Sequence, residues 1–176
     1  MLRGALVGLM PLQTTDVDTL YRWLNDPRVR MAAGCQTWRP AYSLEQVQEL
    51  IKERLSRPSR FDLMVVDLAQ GGSLGLLELT HLHPMSDSAH IGMVWGEMED
   101  EDRMEESLTL ALGYAFNSQS LHRLWARVPS SNQTAINIFQ RAGFRVEGVL
   151  REDHFRGGVW RDSVLLSLLS VEVRPC

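Results

Sequence analysis

Residues 6–12 form an apolar run that predicts a strand. Thr14-Thr15-Asp16 then supplies capping groups for a helix that buries Val17, Leu20, Tyr21 and Leu24, and Asn25-Asp26-Pro27 ends it. Between Arg28 and Tyr42 no period holds. Ser43-Leu44-Glu45-Gln46 has the form of a capping box, opening a second helix with Val47, Leu50, Ile51 and Leu55 on one face. The period then switches to two, predicting strands over 61–68, 73–83 and 88–94 with hairpin turns at Gly71-Gly72 and 84–87. A long helical pattern covers 102–118. A strand over 122–128, a helix over 132–142 stopped by Gly143, and two strands over 145–152 and 160–171 complete the chain. The order predicts one domain over residues 1–176, of α/β (α+β) class. About seven strands form a mixed, mostly antiparallel sheet packed by about four helices.

Composition narrows the functions open to such a domain. The chain has 176 residues, enough to close a core without staples. Apolar residues make up 44% and charged residues 23%, which excludes a disordered chain. A net charge of -4 excludes a protein that coats nucleic acid. Cys35 and Cys176 lie far apart with no Cys/His cluster, so neither a disulfide framework nor a metal site is expected. No apolar stretch approaches the ~20 residues that span a bilayer, and no basic-then-apolar leader opens the chain. A soluble, cytoplasmic protein without a membrane partner is predicted. One segment stands apart: residues 97–106 hold seven acids and a single base, Arg103.

Several short strings recur in a fixed order. Trp23-Leu24-Asn25-Asp26-Pro27 follows the first helix. Gly75-Leu76-Leu77-Glu78-Leu79 and Ala89-His90-Ile91-Gly92 lie on the third and fourth strands, and Tyr114-Ala115-Phe116 closes the long helix. Asn132-x-x-Ala135-Ile136-x-x-Phe139-x-x-Ala142-Gly143-Phe144 comes next, then Glu147-Gly148, Leu150-Arg151-Glu152 and Trp160-Arg161-Asp162. In this order and at this spacing they resemble the GNAT superfamily of N-acyltransferases, most nearly the ribosomal-protein-alanine acetyltransferases and their small-molecule relatives. The resemblance covers nearly the whole chain. It implies a V-shaped splay between strands four and five that takes the arm of acetyl-CoA or another acyl thioester. Main chain around Met93, Val94 and Trp95 would pair with that arm, with Arg103, Met104, Asn132 and Phe139 also at the donor. The acceptor would be a small-molecule or peptide amine, and homodimers are common among such proteins.

The loop that should cradle the donor's diphosphate departs from the family pattern. Glycines there let backbone N–H groups at a helix start approach phosphate. Here Glu99, Asp100, Glu101 and Asp102 occupy those positions, and Arg103 is the only counter-charge in the local sequence. A carboxylate about 5 Å from a phosphate charge costs on the order of 3 kcal/mol at an effective dielectric near 20. The position that often carries a Tyr to protonate the leaving thiolate holds Phe139, and a Ser alternative is replaced by Ala135. Thr134 is the nearest substitute. Asn132 either positions the donor arm or caps its helix.

His90 stands where many relatives carry a Glu, and a neutral imidazole there would take the acceptor's proton. Glu78 and His81 would line the acceptor cleft, with His81 and His83 on one face of their strand. Trp38 and Arg39 fall in the segment that shapes the acceptor pocket. The expected activity is therefore N-acyl transfer from CoA, or from an acyl carrier protein's phosphopantetheine, by direct attack of an amine. One alternative is a domain of this fold that has lost acetyl-CoA-dependent transfer and binds, regulates or catalyses something else in the cleft. Another is a cation held by the acid run.

Overall fold

The computed structural model describes residues 1–32, 40–83, 85, 87–97 and 100–173. Its strands are β1 (Leu2–Arg3), β2 (Val7–Pro11), β3 (Phe61–Asp67), β4 (Ser73–His83), β5 (Ser88–Trp95), β6 (Arg123–Pro129), β7 (Arg145–Arg156) and β8 (Val159–Leu169). They form one sheet in the order β1-β2-β3-β4-β5-β6-β8-β7. Only the central pair, β5 and β6, runs parallel. The α-helices are α1 (Val17–Asn25), α2 (Pro27–Ala32), α3 (Leu44–Ser56), α4 (Glu101–Gly113) and α5 (Gln133–Arg141).

The fold class is as the periodicity predicts, with one more strand and one more helix among the described residues. The added helix is α2. Pro27 ends α1, yet its fixed φ and missing N–H also suit the first turn of a new helix. The Asp26 carboxylate accepts the Arg28 N–H at 2.7 Å there. The capping box before α3 is present: Ser43 Oγ accepts from Gln46 N at 3.2 Å, and Gln46 Oε1 accepts from Ser43 N at 2.8 Å. The two-residue Gly157-Gly158 turn between β7 and β8 has positive φ at both positions, 56° and 80°, which few other residues sustain.

Alternation along the strands sorts side chains between two layers. On one face Val65, Leu77, Leu79, Ile91 and Leu124 pack beneath α4 and α5, against Leu108, Ala111, Ile138 and Phe139. On the other, Met64 and Leu76 meet Leu20, Trp23, Val29, Val47 and Ile51 from α1, α2 and α3. Trp23 is 2% exposed. It lies so close over Gly96 that a Cβ there would sit 1.9 Å from its ring.

The sheet opens in its middle. β5 and β6 share three rungs, Ser88 with Arg123, Ala89 with Leu124 and His90 with Trp125, and no further rung follows. On their outer sides both strands stay paired, β5 to β4 as far as Trp95 and β6 to β8 as far as Pro129. Residues 91–95 of β5 therefore face a widening gap. This is the splay that the resemblance implies.

Candidate active site

The gap forms a cleft of about 170 Å³. One wall is β5 from His90 to Trp95, and the other is Arg127, Val128 and Pro129 of β6. Asn132, Ala135 and Phe139 of α5 close it on one side with Met104 of α4, and Ala32 and Glu78 reach it on the other. A strand backbone without a ladder partner offers N–H and C=O groups that must find partners in solvent or a ligand. An extended, slender chain with amide groups suits that wall.

At the narrow end the register places a row of polar side chains on the α1–α3 face of the sheet. Asp62 is opposite Glu78, Glu78 opposite Gly92, and Thr80 opposite His90. His90 packs on Trp125 with ring centroids 4.6 Å apart and on His81 at 6.0 Å. Thr80 Oγ1 lies 3.0 Å from His81 Nδ1 and 3.2 Å from His90 Nδ1. One hydroxyl hydrogen serves one imidazole only, so the other ring must donate its own Nδ1–H to that oxygen. Burial, with His81 and Arg127 nearby, pushes the His90 pKa down to about 4. The ring is uncharged at neutral pH and open to a proton or a hydrogen bond.

Glu78 belongs to a buried ionic group. Arg54 Nη1 contacts Glu78 Oε1 and lies 3.1 Å from Asp62 Oδ1. Arg60 binds Asp62 at 2.5 and 2.8 Å and Glu78 Oε1 at 3.1 Å. The two carboxylates face each other across β3 and β4, a repulsive arrangement alone. The guanidiniums make it neutral. Glu78 Oε2 points the other way, past Gly92 toward His90: a Cβ on Gly92 would lie 3.9 Å from that oxygen and 3.3 Å from the His90 ring.

The acid run is less exposed to phosphate repulsion than its sequence implies. Arg103 is not its only counter-charge, a correction to the local reading. Arg141 of α5 binds Glu101 and Glu105, both at 2.8 Å. Arg22 of α1 lies 3.7 Å from Glu97, whose carboxylate also accepts from Trp23 Nε1 at 3.3 Å. Glu106 accepts three backbone N–H groups, from Ala5, Leu6 and Val7, at 2.6, 2.7 and 2.8 Å. Partial burial acts to raise the Glu106 pKa, and those three N–H groups outweigh it, holding the carboxyl below its usual range. Glu106→Ala is expected to lower stability by about 2 kcal/mol at neutral pH. Because the folded pKa is depressed, that contribution is present above the unfolded value near 4.5 and fades as pH falls through the folded one. Urea midpoints of wild type and variant should converge in acid.

Asp100 caps α4 by accepting the Arg103 N–H at 3.1 Å, and its side chain pairs with the Arg103 guanidinium. A carboxylate thus occupies the helix start where the resemblance would put a phosphate. The cleft wall fits a thioester arm, and at the described start of α4 the Asp100 carboxylate already takes the Arg103 N–H.

The structure gathers most of the predicted site residues into the one cleft: His90, Met93, Val94, Trp95, Met104, Asn132, Phe139 and Glu78. Arg103 is drawn away from it by Asp67, at 3.4 Å, and Asp100, and lines a separate surface hollow with Arg3, Gly4 and Leu68. His81 is exposed beside His90 rather than in the cleft wall. Its φ of 54° marks a break in β4 between Thr80 and His83 that interrupts the alternation. Asn132 is the cap of α5, accepting Ala135 N at 3.1 Å, and its amide donates to Ala32 O at 3.3 Å. Thr134 does not line the cleft, and no described lining residue carries a hydroxyl. Trp38, Arg39 and Glu99 lie outside the described residues, as does the side chain of His83. The residues that sequence reasoning missed are Arg54, Arg60 and Asp62 behind Glu78, and Trp125 and Arg127 beside His90.

The chain is similar to known proteins along most of its length. Residues 7–145 match the acetyltransferase (GNAT) domain family. The spermidine N(1)-acetyltransferase of Escherichia coli K12 is 24% identical over 92% of this chain and 85% of its own. The ribosomal protein uS5-alanine N-acetyltransferase of the same organism is 32% identical, over 48% of this chain and 42% of its own. The crystal structure of a spermidine N-acetyltransferase from Vibrio cholerae in complex with CoA and spermine has the same fold. Its TM-score is 0.84 at 22% identity, covering 95% of this chain and 97% of that one. The alanine-acetylating branch is thus matched over about half of the chain, while the family match runs from β2 to the start of β7 and takes in the splay and most of the cleft, and the chain belongs to the GNAT acetyltransferase family.

Proposed function

We propose that the protein is an N-acetyltransferase that moves the acetyl group of acetyl-CoA to a primary amine. The observation that carries this reading is the cleft itself, a sheet opened after three rungs with bare β5 backbone on one wall and His90 at its narrow end. Bound there, acetyl-CoA supplies an activated acetyl thioester. Main chain over residues 91–95 would hold its arm, with Ala135 and Phe139 excluding water from the opposite side. The acid-rich start of α4 adds no hold on the diphosphate, so affinity rests on the arm.

The acceptor's amine must attack as a free base. Glu78 Oε2 faces the space beside Gly92 and draws an ammonium toward His90. The uncharged imidazole accepts the proton, directly or through water, as the nitrogen bonds to the carbonyl carbon and the carbon–sulfur bond breaks. β5 N–H groups favour the developing charge on the carbonyl oxygen. With no hydroxyl in the described cleft wall, the thiolate takes its proton from water. The uncharged ring and the acceptor-side carboxylate favour transfer over a purely binding module.

Calorimetric titration with acetyl-CoA, followed by release of CoA thiol on adding amines, tests this reading. Binding at micromolar donor and amine-dependent thiol release are expected. His90→Ala should then lower kcat by about tenfold or more, about 1.4 kcal/mol of barrier. No binding at millimolar donor overturns the assignment, and an unchanged His90→Ala rate removes His90 from the mechanism.

A further inference from the structure

A base buried as His90 is must pass on the proton it takes. Burial, with His81 and Arg127 nearby, pushes its pKa down to about 4, so an imidazolium formed there is short-lived. Arg127 cannot receive the proton, because a guanidinium only donates. Glu78 leads no further, since Arg54 and Arg60, donors as well, stand at its other oxygen. Among the described residues, the hydrogen-bond partner of the ring is Thr80, whose Oγ1 lies 3.2 Å from Nδ1. The same oxygen lies 3.0 Å from Nδ1 of His81, which is exposed.

The backbone bends to make that bridge. Thr80 stands opposite His90 in the β4–β5 ladder, and regular alternation would send the His81 side chain to the other face of the sheet. A φ of 54° at His81 breaks the alternation, and its ring lies 6.0 Å from that of His90 and 6.1 Å from that of Trp125. Left-handed backbone is uncommon outside glycine and persists where surrounding contacts hold it. Trp125 packs on His90 as well, at 4.6 Å, so one indole braces both imidazoles around the hydroxyl.

We propose that Thr80 and His81 form a relay that carries the acceptor's proton from His90 to solvent. This rests on the acetyl-transfer reading. For His90 to act as base at Nε2, its own hydrogen must sit on Nδ1 and point at Thr80 Oγ1, and the Thr80 hydroxyl then donates to His81 Nδ1. As Nε2 takes the proton of the amine, the Nδ1 proton moves to Thr80 Oγ1, the original hydroxyl proton moves to His81 Nδ1, and His81 releases its Nε2 proton to water. One proton enters, one leaves, and no charge stays on the buried ring. Once product has left, the reverse shift resets the bridge: His90 Nε2 yields its proton to water in the open cleft, and His81 Nε2 regains one from outside. Thr80 and His81 thus act through His90 and touch neither substrate.

Thiol release at saturating acetyl-CoA tests the relay, with whichever of glycinamide, spermidine and the tripeptide Ala-Gln-Gln the wild type turns over fastest. Thr80→Val should lower kcat about tenfold or more with both KM values unchanged, and Thr80→Ser should restore it. His81→Ala, at an exposed position, should lose a similar factor and regain it on addition of free imidazole, read against amine-free blanks. Thr80→Val should gain nothing from imidazole, because its break lies inside the bridge. Unchanged kcat in Thr80→Val and His81→Ala overturns the relay and leaves acetyl transfer standing. So does a loss that neither Ser at position 80 nor imidazole reverses, which marks a merely structural role. Acetyl-CoA binding by the wild type without thiol release from any of the amines overturns acetyl transfer, and the relay with it.

Discussion

Replacing Trp23 by Ala lowers the free energy of unfolding by about 4 kcal/mol, the cost of a large buried aromatic lost to a cavity. The ring is 2% exposed and joins α1 to the open end of β5, touching Gly96 and donating to Glu97. Gly96 is the complementary test. A methyl there would fall 1.9 Å from Trp23 Cε2, against a ring with no room to retreat, so Gly96→Ala should cost about 3 kcal/mol by overpacking. The paired variant Trp23→Ala with Gly96→Ala should cost clearly less than the two singles combined, since the added methyl then enters the vacated space. Denaturant midpoints at constant slope measure all three, and additive costs would separate the two residues.

The second large effect is on acid sensitivity. Between pH 6.5 and about 4 the wild type should lose about 3 kcal/mol of stability relative to His90→Gln. The sign follows from the lowered folded pKa. In that window the unfolded chain binds a proton that the folded one refuses, so stability falls as pH falls, and below about 4 the difference levels off. The groups facing the ring are His81 and Arg127, both opposing its charge, with Glu78 Oε2 across Gly92 and the uncharged Thr80 and Trp125. Carboxylates held low elsewhere, such as Glu106 and Glu147, act in wild type and variant alike and cancel in the difference. Equal pH slopes for the two proteins would show a solvated, ordinary imidazole.

Much of this was legible in the sequence because it depends on local period. Strand alternation and helix spacing locate seven of the eight strands, and the Ser43 capping box is where its four residues put it. The missed helix α2 turns on one residue, Pro27, which reads as a stop and serves equally as a start. The acid run was misjudged because its partners are remote. Arg141 lies 36 and 40 residues further along the chain from Glu105 and Glu101, and the N–H groups that Glu106 collects belong to the turn between β1 and β2 and to Val7 at the start of β2. No local window contains either. The ionic group behind Glu78 did leave a trace. Arg54 follows Val47 and Ile51 at the spacing of the buried stripe of α3, and Asp62 interrupts the apolar run that opens β3. A charge at a position the period marks as buried requires a partner, and here two such charges meet. The positive φ of His81 has no such trace.

The three-rung opening between β5 and β6 means that this sheet has four edges, not two. Unpaired strand edges ordinarily invite another chain to join, the route to aggregation that many β-proteins guard against. Here the inner pair is guarded by shape. The wedge narrows to a full ladder at His90, α5 stands over it, and Pro129 removes an N–H from the end of β6. A β-strand with side chains on both faces is too broad to enter; a thin chain of amides is not. The same taper that admits a ligand therefore keeps the protein from templating its own polymer.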